Sequence, residues 1–527
     1  MSIFLCYDLK GIQQYIFQVP RLKCCIGGSR QIDNFDRKEV VDLAKQLGID
    51  LIYSGGGKGA FVCSSEDDLQ NLKRELVKKA REFGLTIRFG YSDVYSTAAR
   101  EIRETFCWQP ESLDGQPCSE SGLYPTTEGV HPLIQKRIAI ASQHGKESPV
   151  EREFLEELRK EFKNEKFEFF YNPDPDDRDG YDTACALGSR NRWAVVRMDG
   201  NDMGLQFLEF QKRHPETNAK EWREWLPKMS RSLDECTRDA ALEGMKAVVQ
   251  EYVKSNHNDV LPLRPLIIGG DDVSVLVHCS YAVLFVKTVM EKFTEFSKRS
   301  KELWVGTNGA LSISGGILYA PCKFPLHSAL DYAEELLASA KTHGRELKKQ
   351  KKDTSGCSPA CFDWESITEG LLDSPAARRQ REFIFTEYVD GKEKKVELTS
   401  RPYSLEEFEK LEPMYRKIRG TSLESSQNEL DINASELGIP ATIQYQIHPA
   451  LYAPKDRRCA FYARLGKNYR WLYDYLKEPI SGVEEEYGKG WSVDGNIQKT
   501  SIIDILLRIQ EEVRMEKPTI AMSGEEN

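Results

Sequence analysis

No apolar run in the 527-residue sequence reaches the roughly 18 residues that a membrane-spanning helix needs, so no membrane partner is expected. A dense cysteine framework is also missing. The thirteen cysteines are scattered, and the opening stretch MSIFLCYDLKG has neither a basic region nor a small-residue cleavage site. Together these predict reduced thiols and a cytoplasmic protein. Positive charge is short as well. A net charge of −10 excludes coating of nucleic acid by bulk electrostatics, but leaves room for a local basic groove or for partner subunits that hold the nucleic acid. What the chain does have is 40% apolar and 30% charged residues, the balance of a globular protein. Its length predicts roughly three or four domains of about 100–200 residues.

The patterning predicts an α+β chain with an internal repeat. Residues 1–105 read as strand (IFLCYDL), helix, hairpin (DLIYS-GGGKG-AFVC), helix, strand (LTIRFGY) and helix. That is the ferredoxin-like order of two crossovers around a hairpin. The stretch RLKCCIGGSRQ inside it reads as a loop. Residues 106–190 read as a loop-rich linker with one charged helix near 149–165 and an acidic loop, NPDPDDRDG. That loop lacks the twelfth-position Glu of a calcium loop. Residues 191–350 repeat the first plan, with the strand WAVVRM, the hairpin PLIIGGDDVSVLVH, the strand ALSISGGILYA and a closing helix. Residues 351–527 read as mainly helical, with no catalytic signature. In the repeat, Asp8 and Asp199 end the first strand of each copy. Gly57 and Lys58 replace Asp271 and Asp272.

Two adjacent carboxylates at the tip of an otherwise apolar hairpin are costly unless something positive meets them. Asp199 ends the neighbouring strand, and adjacent strands lie about 4.8 Å apart, so a divalent cation can bridge Asp199 and Asp271. Hard cations such as Mg²⁺ take oxygen ligands and are often shared with substrate phosphates. Gly269 and Gly270 remove side chains where a nucleotide must approach the backbone. The chemistry this predicts is phosphoryl transfer, with a ribose hydroxyl attacking an α-phosphate. An isolated Gly-Gly-Asp-Asp is also a plain type I′ hairpin turn. Lys341 and Arg345, four apart on the closing helix, face a triphosphate in one reading and simply solubilise a helix end in the other. His278, on the strand after the hairpin, reads as a packed residue rather than a base.

The pieces DLKGIQQYIF, LKCCIGGS, YSGGGKG, RMDGNDMG, IIGGDD, SISGGILYAP and AEELLASAKTHGR make residues 1–350 resemble a known family: the large, two-palm subunit of type III CRISPR effector complexes. The resemblance implies two palm domains packed face to face, one catalytic and one supporting. It implies conversion of ATP to cyclic oligoadenylates, with Mg²⁺ or Mn²⁺, in a complex of sibling subunits with guide RNA and target RNA. It gives Asp271 and Asp272 the catalytic role, and makes Asp199, Asp271 and the Gly200 position metal ligands. For the first palm it implies nucleotide contacts from Ser29, Gly55 and Gly56. The sequence also departs from the family. It starts at the first palm, and no His-Asp pair occurs, so the family's HD nuclease activity is not expected. Asn201 stands where the family has a second Asp, with Asp202 one step late. The family's paired CxxC zinc motif is missing: Cys107 and Cys118 stand alone, and Cys357 and Cys361 are four apart with no second pair. These departures keep two other readings open: a free-standing two-palm cyclase, such as a homodimer without RNA, and a silent scaffold subunit. A diguanylate cyclase would lack the paired first palm.

Overall fold

The computed structural model describes residues 3–17, 22–104, 116–117, 125–126, 131–143, 149–170, 192–204, 212, 219–255, 259–303, 310–322, 324–351, 356–368, 373–389, 392–419, 439–453, 455–476, 491–494 and 497–511. Cys107, Cys118 and the acidic loop at 172–180 lie outside them.

The first palm runs β1 (Ile3–Lys10), α1 (Ile12–Phe17), α2 (Leu22–Asn34), α3 (Val40–Leu47), β2 (Asp50–Gly55), β3 (Lys58–Cys63), α4 (Glu66–Glu82), β4 (Thr86–Ser92) and α5 (Tyr95–Glu104). Its antiparallel sheet has the order β2-β3-β1-β4, as the ferredoxin-like plan requires. Local chemistry sets α4. The Ser65 hydroxyl accepts from the Asp68 amide at 3.1 Å, and Glu66, Asp67 and Asp68 crowd the positive end of the helix dipole. Leu69, Leu72, Leu76 and Ala80 then share the buried face.

The stretch expected as a loop, RLKCCIGGSRQ, is instead largely α2, joined to α3 through a π turn at Phe35–Glu39. The glycines that suggest a loop serve close packing. A side chain at Gly27 would collide with the Arg137 carbonyl oxygen, on α6 (Pro132–Gln143). The segment expected as a linker is therefore partly built into the body. It holds α6, α7 (Pro149–Phe162) and the short strands β5 (Gln116–Pro117), β6 (Pro125–Thr126) and β7 (Glu168–Phe169). Phe154, Leu155 and Leu158 of α7 enter the core, and Glu151 forms a buried ion pair with Arg264 at 2.8 Å.

The second palm runs β8 (Arg192–Gly200), α8 (Ala219–Ser255), β9 (Val260–Leu261), β10 (Leu263–Gly269), β11 (Asp272–His278), α9 (Ala282–Ser297), β12 (Ile313–Pro321) and α10 (Leu326–Gln350). The two copies agree in register. Lys58 sits opposite both Asp8 and Gly55, and Cys6 pairs with Gly90. In the second copy, Asp272 pairs with Gly269 and Arg197 with Gly316. The two sheet glycines serve one purpose. A side chain at Gly90 would collide with the Ala98 carbonyl oxygen, and one at Gly316 with the Ala333 oxygen, so each lets the closing helix lie against its sheet. The cores are shared between the palms. Phe4, Cys6 and Tyr95 cluster with Val196, Met198 and Phe285 on one side, and Leu5, Tyr7 and Leu72 with Val195, Leu318 and Leu336 on the other.

The sheet of the second palm gains further strands beyond residue 350. β13 (Cys361–Ser366) adds in parallel to β12, followed by α11 (Pro375–Glu382), β14 (Ile384–Val389), β15 (Lys392–Glu397) and β16 (Tyr403–Ser404). The six-stranded order is β10-β11-β8-β12-β13-β16. The remainder is mainly helical, as its sequence suggests, and also carries strands. Helices α12 (Leu405–Glu409), α13 (Glu412–Arg419), α14 (Ala441–Tyr452), α15 (Lys455–Asn468), α16 (Arg470–Leu476) and α17 (Ile502–Glu511) accompany β17 (Trp491–Asp494) and β18 (Ile497–Thr500). The last two strands complete a second sheet, β14-β15-β18-β17. A buried ionic hub ties this part to the palm: Arg401 reaches Glu365 of β13 at 3.1 Å and Asp504 of α17 at 2.8 Å. No helix among the described residues is long and apolar enough to cross a membrane.

Candidate functional site: an acidic hairpin facing a basic one

The site begins with a turn. β10 ends at Gly269 and β11 starts at Asp272, and these two residues pair. Gly270 has φ +61°, while Asp271 is not left-handed. One left-handed residue, at the first central position, is the φ pattern of a type II′ turn rather than the expected type I′. The first palm differs at this point: Gly56 and Gly57 are both left-handed, at +62° and +75°, as type I′ requires.

Asp271 and Asp272 are half-buried beside the end of β8. The Asp271 carboxyl is pushed up to about 7 by burial, then by the charges of Asp199 and Asp272 and by a hydrogen bond with Asp199. Asp272 is pushed up to about 6 by burial and Asp199, against the pull of Arg197. A smaller lowering comes from Lys58, so the glycine-lysine hairpin of the first palm lies within electrostatic reach of the acidic hairpin of the second. Gly200 is needed for this approach. A side chain there would sit 3.0 Å from the Asp271 Cβ and would collide with the Met203 Cε.

Lys341 of α10 is part of the same cluster. Its ammonium hydrogen-bonds the Asp199 carboxylate and donates to the Gly200 carbonyl at 2.9 Å. The lysine expected to face a triphosphate thus neutralises Asp199. Arg345, one helical turn further on, is exposed. Gly269 has only ordinary room around it, its nearest neighbour being Asp234 Oδ1 at 3.5 Å, so packing does not explain its missing side chain. Gly55 and Gly56 lie at the tip of the first-palm hairpin, where a Cβ on either would meet nothing within 4 Å. Ser29 is half-buried on α2.

Asp202 is turned away from the acids. Burial raises its carboxyl, but bonds from the Ser358 hydroxyl and amide, at 2.6 and 2.8 Å, together with Lys348, bring it below the usual range. Asn201 is buried and bonds the Ser312 hydroxyl at 2.9 Å. Cys357 and Cys361 are unpaired thiols, pushed up by burial to about 11 and about 12. His278 is packed, pushed down to about 4 by burial, and its Nδ1 accepts from the Ser280 amide at 3.2 Å.

Three residues escape a reading of the sequence. Arg197 is buried on β8, bonded to Glu334 at 2.8 Å and Ser274 at 2.9 Å. It is the cation beside Asp272, and a charged residue inside the apolar WAVVRM is the available signal. Asp234 and Thr237 of α8 hold the turn: the Gly270 amide donates to Asp234 at 2.9 Å, and the Thr237 hydroxyl donates to the Gly270 carbonyl at 2.6 Å. Nothing local in their helix marks them.

Among the described residues, no group of three or more acidic, His or Cys side chains closes on a metal position. What is present is an open, all-oxygen pair, Asp199 and Asp271, beside the Gly200 carbonyl. Such an all-oxygen donor set fits Mg²⁺ or Mn²⁺, which share their coordination with substrate phosphates and water.

Residues 192–350 match the family model of the Cas10/Cmr2 second palm domain. No curated protein matches the sequence. Solved structures share the fold over nearly the whole chain at low identity. A Csm1–Csm4 cassette in complex with cA4 is 13% identical, with TM-score 0.54, covering 97% of this chain and 70% of that one. A Csm1–Csm4 cassette in complex with AMPPNP is 14% identical, with TM-score 0.52, covering 97% and 70%. Csm1 of T. onnurineus is 14% identical, with TM-score 0.53, covering 97% and 69%. Residues 192–350 are therefore similar in sequence to the Cas10/Cmr2 second palm domain, and nearly the whole chain shares the fold of Csm1.

Proposed function

We propose that this chain is a metal-dependent nucleotidyltransferase that converts ATP to cyclic oligoadenylates, as the large subunit of an RNA-guided type III CRISPR complex. The observation that carries this reading is the pairing of Asp199 with Asp271 at the tip of a hairpin that faces a second, acid-free hairpin across the two palms. The similar Csm1–Csm4 structures are complexes with cA4 and with AMPPNP, and another is a subcomplex of a type III-A CRISPR-Csm interference complex. Both support the reading.

Asp199 and Asp271, with the Gly200 carbonyl, would hold Mg²⁺ or Mn²⁺. When bound, the ion would supply charge stabilisation at the reacting α-phosphate and activation of the attacking ribose hydroxyl. The chain's own groups do the rest. Gly269 leaves the backbone open to a nucleotide. Lys341 and Arg345, a helical turn apart, offer cations to a triphosphate, and Lys58 adds a charge from the opposite palm. Arg197 keeps Asp272 anionic inside a crowded acidic group by its nearby positive charge.

The test is direct. The protein, assembled with sibling subunits, guide RNA and target RNA, is given ATP with Mg²⁺ or Mn²⁺, and the products are read by mass spectrometry. Cyclic oligoadenylates that vanish in Asp271→Ala and Asp272→Ala support the proposal. No cyclic product in the presence of target RNA overturns it.

A further inference from the structure

The same device holds the hairpin in both palms, but it grips a different residue in each. In the first palm, Asp36 lies in the π turn between α2 and α3. Its Oδ2 accepts from the Gly57 amide at 2.6 Å, and its Oδ1 from the Tyr7 hydroxyl at 2.9 Å. The Ser54 hydroxyl donates to the Asp36 carbonyl at 2.9 Å. In the second palm, Asp234 of the corresponding crossover helix accepts from the Gly270 amide, and Thr237, three residues on, donates to the Gly270 carbonyl. By register, Gly57 corresponds to Asp271, and Gly270 to Gly56. The clamp has moved back by one residue.

That displacement coincides with the change of turn. In the first palm the clamped residue is the second central one, and both central residues are left-handed. In the second palm the clamp closes on the first central residue, and only that residue is left-handed. The Asp271 amide is left to its own carboxylate, and Asp271 meets Asp199. Thr237 has one hydroxyl proton for two carbonyls, Leu233 at 2.9 Å and Gly270 at 2.6 Å. Its bond to the turn therefore draws on a proton that an ordinary helical threonine returns to its own backbone.

We infer that Asp234 and Thr237 are positioning residues: by gripping both sides of Gly270 they select the turn form that aims Asp271 at Asp199. This rests on the reading of those aspartates as a metal site. Residues that orient ligands from behind change metal affinity by about 10–100-fold when lost.

The experiment uses the full chain without nucleotide. Mn²⁺ affinity is followed by electron paramagnetic resonance, and amide exchange of the segment 266–276 by mass spectrometry. Asp234→Ala and Thr237→Val are expected to weaken Mn²⁺ binding about tenfold or more and to speed exchange at the turn. Asp234→Asn and Thr237→Ser each keep the atom that bonds Gly270, and are expected to restore both readouts. A merely structural role would not produce that rescue at equal melting temperature. Ala and Val variants that fold, bind Mn²⁺ as the parent does and exchange no faster overturn the inference while leaving the metal site standing. A parent that binds no Mn²⁺ overturns the metal reading, and the clamp's role with it.

Discussion

Replacing Lys341 with methionine removes the cation that neutralises Asp199 while keeping most of the side chain's volume. In the structure the ammonium bonds both the Asp199 carboxylate and the Gly200 carbonyl, the two oxygens a metal ion would need. The Lys341 and Asp199 side chains are 15% and 30% exposed, so water screens the pair only in part. Two unit charges about 4 Å apart attract by about 4 kcal/mol at an effective dielectric of 20. Net of solvation, a hydrogen bond to a charged group contributes about 1.5–3 kcal/mol. A divalent ion binding at Asp199 must first displace this contact. Lys341→Met spares that step, and should tighten Mn²⁺ binding in the absence of nucleotide by roughly 10–100-fold. The same variant loses a partner for the triphosphate, so KM for ATP should rise. Opposite signs on the two measurements are the signature. Mn²⁺ titration followed by electron paramagnetic resonance reads the first, and product formation against ATP concentration the second. Lys341→Arg, which keeps the charge, should move neither far. Mn²⁺ affinity that stays the same or falls in Lys341→Met refutes the idea that this lysine stands in for the ion.

Asp271 gives a pH-dependent prediction. Its folded value of about 7 lies above the unfolded carboxylate value near 3.9, so its contribution to stability is full below the unfolded value and is lost as pH rises through about 7. In chelator, Asp271→Asn should therefore melt higher than the parent at pH 8, with the gap closing toward pH 5.5. A gap that widens on acidification would contradict the assignment. The ionic hub gives another. Arg401→Met leaves Asp504 buried without its guanidinium and Glu365 with only Arg379, at 3.5 Å, and breaking a buried pair from one side costs about 3–5 kcal/mol. Bonds to Asp504 from the Thr399 hydroxyl at 2.7 Å and the Tyr403 hydroxyl at 2.6 Å place the expected loss near the lower end. Urea unfolding measures it, and a loss under about 1 kcal/mol would remove the hub's claim to join the two parts.

The repeat and its acids are legible in the sequence because their signals are local. Strand alternation, Gly-rich hairpin tips and an aspartate closing each first strand all sit within a few residues of one another. The misreadings share a different cause. Gly27 looks like a loop residue until α6 is known to lie against it. KEKKVE, the sequence of β15, falls in the stretch read as mainly helical, and β18, one of its two pairing partners, lies far along the chain. Asp234 and Thr237 lie 36 and 33 residues before the glycine they hold, and no helical pattern distinguishes a side chain that bonds a turn from one that faces water. Spacing along the helix picks out Lys341 but not the carboxylate that it meets. Only the folded register brings its helix over Asp199.

Gly57 lies where the second palm has Asp271. Its φ of +75° is one that L side chains rarely adopt, and a Cβ there would overlap the Ile12 Cδ1. An aspartate at this position would be strained unless the turn changed form, and the Ile12 side chain would have to shift to make room for it. The first-palm hairpin is therefore shaped for glycine rather than for an acid, and a second acidic hairpin would need a rebuilt turn as well as the carboxylate.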